Sequence, residues 1–301
     1  MTFPPDPGPG VDTGVRTGVD LGADLGPLTA AADDVARALR PVRRLGVAYS
    51  GGVDSALLLA LAARALGPGR VIALLGVSPS LAADERAGAH ATAAVIGVPV
   101  VEVVTREGER EAYRANGPDR CYHCKDELFT RIDADLAAQH GLDAVAYGEN
   151  ADDARRPDRP GARAATEHGV LRPLADAGLT KADVRALARA LRLPVADKPA
   201  APCLASRIPH FERVDPAKLA QVERAEAAVR ALGLRDCRVR HHGDVARLEL
   251  DAADLPRAVQ DPLRAGLLDA VRSAGFRFVA LDLAGIQSGA FTLPLVASAG
   301  G

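Results

Sequence analysis

Apolar and polar positions along the chain alternate between two periods. Leu28, Ala31, Val35 and Leu39 share one face at helical spacing, which predicts a helix over 28–40. A short apolar run at 45–49 predicts a strand, and the Ala/Leu-rich stretch 55–66 predicts a helix stopped by Gly67-Pro68-Gly69. Val71–Val77 is apolar throughout, as expected of a parallel strand covered on both faces. The rhythm continues with a helix at 84–96, a third buried strand at 98–104, a helix at 127–140 closed by Gly141, and a fourth strand at Ala144–Tyr147. This alternation predicts an α/β fold, a doubly wound parallel sheet whose ligands lie at the carboxyl ends of the strands.

After the fourth strand the rhythm breaks. Residues 154–169 are polar, with Arg155, Arg156, Arg159 and Arg163, and read as a mobile flap or a solvated loop. Thr180 is an N-cap for a helix at 181–191. Residues 194–209 contain Pro194, Pro199, Pro202 and Pro209, which rule out regular structure. The remainder reads as a second, smaller α/β unit: a helix at 214–232 ended by Gly233, strands at 237–240 and 246–250, a helix at 262–273 and a strand at 276–281. The expected organisation is a disordered Pro/Gly-rich tail over 1–27, a main domain over 28–209, a small C-terminal domain over 210–290 and a frayed tail over 291–301.

Composition narrows the function classes. A chain of 301 residues can bury a substantial core. Its net charge of −2 argues against nucleic acid as the main partner, and six Phe, four Tyr and no Trp leave few platforms for stacking bases. Four cysteines without a leader do not suggest a secreted disulfide framework. The opening MTFPPDPGPG has neither a basic start nor an apolar core, so no signal peptide is expected. No apolar run approaches membrane-spanning length. A cytoplasmic protein is expected.

The stretch richest in chemistry is Val47-Ala48-Tyr49-Ser50-Gly51-Gly52-Val53-Asp54-Ser55, where a strand runs through two glycines into a helix. Glycine lets backbone approach a ligand closely. The first amides of a helix are unpaired and carry the positive end of its dipole. Together they make an anion site suited to phosphate. Ser50 and Ser55 add hydroxyl donors, and Asp54 suits Mg²⁺ on a polyphosphate. The spacing is neither GxxxxGK[ST] nor GxGxxG; the plainer alternative is an ordinary glycine turn. After the fourth strand, Gly148-Glu149-Asn150-Ala151-Asp152-Asp153 offers carboxylates able to share Mg²⁺ with Asp54, and an amide, Asn150, for a nucleotide or substrate. An N-cap and turn cluster has the same composition.

Cys203 lies in the proline-rich loop beside Lys198, Ser206 and Arg207, a setting that favours the thiolate. An isolated cysteine is more often buried filler. Cys121 and Cys124 are spaced CxxC, which also fits zinc, with His123 as a further ligand, or a redox disulfide. Arg238 and Arg240 alternate along a strand and share a face, which suits a phosphate; two exposed arginines on a sheet are the plainer reading. His241 and His242 face opposite ways, and Cys237 reads as core.

The hexapeptide SGGVDS resembles the pyrophosphate loop of the PP-loop ATP-pyrophosphatases. Further motifs are Arg120-Cys121-Tyr122-His123-Cys124-Lys125, GENADD followed by Arg159-Pro160-Gly161, and Pro202-Cys203-Leu204-Ala205-Ser206-Arg207. With Arg238-Val239-Arg240-His241-His242-Gly243 and Leu281-Asp282-Leu283-Ala284-Gly285, they make the chain similar to the LarE family over roughly 28–288. That family comprises ATP-dependent sulfur transferases of nickel-pincer nucleotide assembly. The resemblance implies ATP, Mg²⁺ and two stages: adenylation of a carboxylate of a pyridinium dicarboxylate mononucleotide with release of pyrophosphate, then replacement of AMP by sulfur. It implies Ser50, Gly51, Gly52, Asp54, Ser55, Asn150 and Asp152 at the nucleotide, and Asp54 and Cys203 as catalytic groups. It implies Ser206, Arg207, Glu226, Arg238 and Arg240 around the substrate. With cysteines at the family's three positions, Cys121, Cys124 and Cys203, it implies a [4Fe–4S] cluster that carries the sulfur; the family's other route makes Cys203 a sacrificial donor. It implies a homo-oligomer with a small-molecule partner, no nucleic acid and no membrane. The rival classes are another PP-loop enzyme, such as a tRNA thiolase, and a non-enzymatic nucleotide-binding protein.

Overall fold

The first apolar run becomes the inside of a parallel sheet. A computed structural model describes residues 19–156 and 160–287. Among them β1 (Leu45–Ala48), β2 (Val71–Val77), β3 (Val100–Val104) and β4 (Ala144–Tyr147) pair in the order β3-β2-β1-β4, every pair parallel. The chain winds from β1 out to β3 and then crosses back to β4 on the other side of β1. That reversal opens a crevice at the carboxyl ends of β1 and β4, the place where open α/β sheets bind ligands.

Helices cover the sheet: α1 (Thr29–Leu39), α2 (Val53–Leu66), α3 (Ala83–Ile96), α4 (Glu111–Arg114), α5 (Arg120–Arg131), α6 (Ala151–Ala154), α7 (Pro160–Glu167), α8 (Pro173–Asp176) and α9 (Lys181–Ala190). Of these α2 is the most enclosed. Leu57, Leu58 and Leu59 are fully buried on three successive sides, because α1, α3 and α9 pack around it. Burial of each such side chain stabilises the fold by about 1.5–3 kcal/mol relative to exposure.

A second sheet follows. Helix α10 (Pro216–Ala231) precedes β5 (Cys237–His242) and β6 (Val245–Leu250), which pair antiparallel; α11 (Leu255–Ala258) and α12 (Leu263–Ser273) lead to β7 (Phe278–Leu281), parallel to β6. Its own apolar cluster includes Val222, Val229, Val239 and Leu248. Leu204, Ala205 and Ile208 belong to this cluster too, as does Tyr113. The second core therefore reaches back across the boundary expected at 209/210.

Five expectations are corrected. The tail expected to reach residue 27 is packed from residue 19: Arg64 Nη1 donates to the carbonyls of Leu21 (2.9 Å) and Ala23 (2.8 Å), and Leu25 is buried. Strand β3 starts at Val100 because Pro99 has no N–H to donate, and as an edge strand it leaves Val104 68% exposed. Helix α5 begins at Arg120 rather than 127 and passes at Ile132–Leu136 into a π turn, so the CxxC pair is helical. Its apolar face is carried by widely spaced residues such as Phe129 and Ile132, which a polar CYHCKDE segment conceals. The expected flap contains α7, opened by Pro160 and packed against α5 through Ala164 and Ala165, both fully buried. A 3₁₀ turn, Leu204–Arg207, occupies the loop from which four prolines had seemed to bar regular structure. Arg159, Ser288, residues 1–18 and the C-terminal tail lie outside the described residues.

Candidate active site

The turn after β1 holds the anion site. Gly51 adopts φ +73°, and a Cβ there would stand 2.9 Å from Cβ of Ala89, so only glycine fits. Gly52 is extended and α2 starts at Val53, two residues before the expected helix start. Ser55 Oγ accepts from the Ser50 amide (3.2 Å) and donates to the Gly52 carbonyl (3.1 Å), tying the loop closed beneath the free amides. Tyr49 anchors it from below by donating to the Ala89 carbonyl (3.0 Å), and burial pushes its phenol up to about 12. At the end of β4, Gly148 lies against the same helix start: a Cβ there would come within 2.7 Å of the Asp54 carbonyl carbon and the Ser55 amide.

Four side chains meet above that contact. Asn150 Nδ2 donates to Asp54 Oδ1 and to Asp153 Oδ2, both at 2.9 Å, and Lys181 Nζ donates to Asp54 Oδ2. Asn150 is buried and caps α6 through the Asp153 amide (3.0 Å), so here it positions carboxylates rather than facing the cavity. Asp152 does not face the cavity either: its carboxylate accepts from the Lys181 backbone amide (2.8 Å). The carboxylate of this segment that does face the cavity is that of Asp153.

That cavity, of about 790 Å³, is lined by Ser50, Asp54, Ser55, Lys181, Cys124, Cys203 and Arg238. The phosphate loop and two of the cysteines thus share one space. Cys121 and Cys124 are three residues apart on α5 and so lie on neighbouring surface positions of the helix. Burial first, and then the charges of Glu107, Cys203 and Cys121, push the Cys124 thiol well up against the pull of Arg120. Arg120 is itself buried. It donates to Asn116 Oδ1 (2.5 Å) and the Ala205 carbonyl (2.9 Å), and although burial works against its charge, the neighbouring Cys203 and Cys121 hold its pKa above the usual value. His123 turns to Asp119, 3.1 Å away. Among the described residues, no three Cys, His, Asp or Glu side chains are arranged to hold a metal ion.

The loop carrying Cys203 is tied to both sheets. The Leu204 amide donates to the Ser80 carbonyl (2.9 Å) at the end of β2, and Arg240 Nη1 donates to the Ser206 carbonyl (2.8 Å) from β5. The cations expected beside Cys203 are engaged with carboxylates: Lys198 with Glu85 (2.6 Å), and Arg207 with both oxygens of Glu226 (2.7 and 3.1 Å). Glu226 is buried and also accepts from the Val239 amide (3.0 Å), joining α10 to β5. Ser206 Oγ accepts from Arg207 Nη1 (3.0 Å).

The two strand arginines part company. Arg240 makes a bidentate pair with the fully buried Glu249 (2.9 and 2.7 Å) and is 3% exposed. Arg238 faces the cavity, where Nη2 donates to the Ala200 carbonyl (3.1 Å). Burial, and then the charges of Arg207 and Arg240, hold its pKa below the usual arginine value, so an anion here would relieve an excess of positive charge. Cys237 is buried as expected, its thiol pushed up to about 12 by burial.

Sequence reasoning missed Lys181 and Glu107 in the cavity wall. Lys181 had a signal: it is the first residue of a helix, where the dipole favours an anion, and such a local violation marks function. Glu107 had none, since it stands in a short polar turn.

Comparison with known proteins agrees with this geometry. The asparagine synthase family matches residues 29–253. An uncharacterized protein of Synechocystis sp. is 43% identical over 81% of this chain and 90% of its own. The pyridinium-3,5-bisthiocarboxylic acid mononucleotide synthase of Lactiplantibacillus plantarum is 35% identical over 84% of this chain and 90% of its own. An uncharacterized protein of Methanocaldococcus jannaschii is 26% identical over 80% and 90%.

Proposed function

The chain belongs to the LarE branch of the PP-loop, asparagine-synthase-like family, and on that premise we propose that it is an ATP-dependent sulfur transferase acting on pyridinium-3,5-dicarboxylate mononucleotide. The observation that carries the reading is the shared cavity: the phosphate loop with Asp54, and the Cys203 loop, form walls of one space. A carboxylate is a poor electrophile, and transfer of AMP to it supplies a leaving group. The chain's part in that step is to hold the carboxylate against the α-phosphate and to stabilise the departing pyrophosphate. The amides at the start of α2, Ser50, Ser55 and Lys181 serve the phosphates, and Arg238 serves the phosphate of the mononucleotide.

Asp54 and Asp153, oxygen donors brought together by Asn150, fit Mg²⁺, whose role is to neutralise charge on the polyphosphate. Cys121, Cys124 and Cys203 have the donor chemistry of an iron–sulfur centre, and Cys124 lies within the electrostatic reach of both the others; the three thiols would have to draw together to hold it. Held by these three cysteines, such a centre would supply an open position for an extra sulfide. Beside such a centre, Arg120 supplies a positive charge and its Asn116 and Ala205 bonds hold α5 to the sulfur loop. The family resemblance further implies a homo-oligomer in the cytoplasm, which light scattering on the purified protein tests. No helix among the described residues is long and apolar enough to cross a membrane.

The test is ATP–pyrophosphate exchange with and without the mononucleotide, followed by mass spectrometry of the product. Exchange that depends on the mononucleotide, with gain of sulfur in the product, is expected. Exchange stimulated by tRNA instead would identify a tRNA thiolase, and ATP binding without exchange would identify a binding protein.

A further inference from the structure

The cavity contains one carboxylate without a counterpart. Four acidic side chains line it: Asp54, Glu85, Glu107 and Asp153. Asp54 is bound by Lys181 and Asn150, Glu85 by Lys198, and Asp153 by Asn150. Glu107 is 2% exposed, its Oε2 has no hydrogen-bond partner, and no lysine or arginine pairs with it among the described residues. A buried carboxylate oxygen in this state is costly, because it has given up water and received no donor in return. Such an arrangement is sustained where a ligand brings the missing charge.

Its place identifies which part of a ligand that is. Glu107 lies at the end of the cavity that holds Cys124, whose thiol feels its charge, as does the buried Tyr113 behind the wall. Tyr113 is fixed there by its 2.6 Å hydrogen bond with Ser80 Oγ, next to the anchor of the Cys203 loop. A carboxyl group due to receive sulfur must reach this end, and the ring that bears it must then stand within the field of Glu107. In a pyridinium ring that carboxyl is attached to a permanent cation with no N–H of its own.

Resting on the sulfur-transferase reading, we infer that Glu107 recognises the positively charged N-alkyl pyridinium ring of the substrate. It makes the site selective for the cationic ring over a neutral ring of the same shape. The carboxylate meets the ring through its charge, which is why it needs no hydrogen-bond donor on the protein side. Its other consequence is orientation: the ring is drawn toward Glu107 and Cys124, within the space that the phosphate loop and Cys203 also line.

The experiment compares two mononucleotides by equilibrium titration: pyridinium-3,5-dicarboxylate mononucleotide and its 1,4-dihydropyridine form, which has the same substituents and no ring charge. The wild-type protein is expected to prefer the cationic ring by about 10-fold or more. Glu107→Gln, which keeps shape and removes charge, is expected to abolish most of that preference, and Glu107→Asp to retain it. An unchanged preference in Glu107→Gln overturns the inference, as does an equal loss in Glu107→Asp. So does a loss of ATP affinity as large as the loss for the pyridinium, which would assign Glu107 to the nucleotide. Wild-type protein that binds ATP and neither mononucleotide overturns the sulfur-transferase reading itself, and this inference with it.

Discussion

Lys181 donates to Oδ2 of Asp54, so a cation at the first turn of α9 and a carboxylate at the first turn of α2 meet across the crevice. Each is then the partner that Mg²⁺·ATP would replace: the metal for Lys181, the phosphates for Asp54. Lys181→Met is expected to slow pyrophosphate release by about 10²–10³-fold, with Lys181→Arg recovering part of it. Asp54→Ala is expected to abolish release while the fold stays intact. ATP–pyrophosphate exchange measures both, and a wild-type rate in Lys181→Met would make the ion pair structural.

Arg238 and Arg240 should respond in opposite ways to the same substitution. Arg238→Ala is expected to weaken mononucleotide binding by about 1.5–3 kcal/mol, the range for a charge-assisted contact, with ATP binding nearly unchanged. Arg240→Ala removes the bidentate partner of the fully buried Glu249, which keeps only Arg247 at 3.2 Å, and is expected to cost about 1–3 kcal/mol of folding stability. Titration calorimetry and urea denaturation separate the two effects. A stable Arg240→Ala protein with impaired substrate binding would put Arg240 back at the phosphate.

For the three cysteines the expected result of anaerobic reconstitution is about four irons per chain, lost in Cys121→Ala, Cys124→Ala and Cys203→Ala alike. An iron-free protein whose mass falls by one H₂S in a single turnover, with Cys203 converted to dehydroalanine, would replace the cluster by a sacrificial cysteine.

His168 is a pH-dependent brace behind α5. Its ring nitrogens stand 2.9 Å from Asp133 and 3.0 Å from Asp126, and donation from both requires the imidazolium. Burial opposes that charge, and the two carboxylates outweigh it, raising the pKa above 6.5. A raised folded-state pKa gives stabilisation that is complete below about 6.5 and is lost as pH rises through the folded value. Wild-type melting temperatures should fall across that window relative to those of His168→Gln. Parallel profiles in the two proteins would remove His168 as the source.

The close approach at Gly148 gives a further test. Gly148→Ala sets a methyl group against the backbone of Asp54 and Ser55, where nothing flexible can yield. ATP affinity should fall by at least about 10-fold, since the turn and the end of β4 must separate. Equilibrium dialysis with ATP reads the change, and an unaltered affinity would show that this contact does not shape the nucleotide site.

Strong periodicity made the parallel sheet readable from the chain: β1, β2 and β4 lie on short apolar runs, and α2 where alanine and leucine fill every side. The phosphate loop was readable for the same reason, because Ser50–Ser55 combines a strand end, glycines and a helix start in consecutive residues. What escaped were roles set by partners distant in sequence. Nothing local distinguishes Asp152 from Asp153, yet one caps α9 and the other faces the cavity. Nothing local tells Arg238 from Arg240; the difference is Glu249 on the neighbouring strand. Helix α7 was hidden because alanines that pack on α5 look unremarkable among arginines.

The tethers of the Cys203 loop have a mechanical consequence. Its Leu204 amide hangs from the Ser80 carbonyl in the turn beyond β2, and its Ser206 carbonyl from Arg240 on the small sheet. The loop is therefore a coupling rod between two bodies, and the position of its sulfur is the sum of theirs. On the proposed function, a tilt of the small sheet would move Cys203 relative to the phosphate loop. Reach between sulfur and acyl group becomes a property of how the two sheets are docked, and substitutions in the seam between them will register as changes in sulfur transfer while leaving adenylation in place.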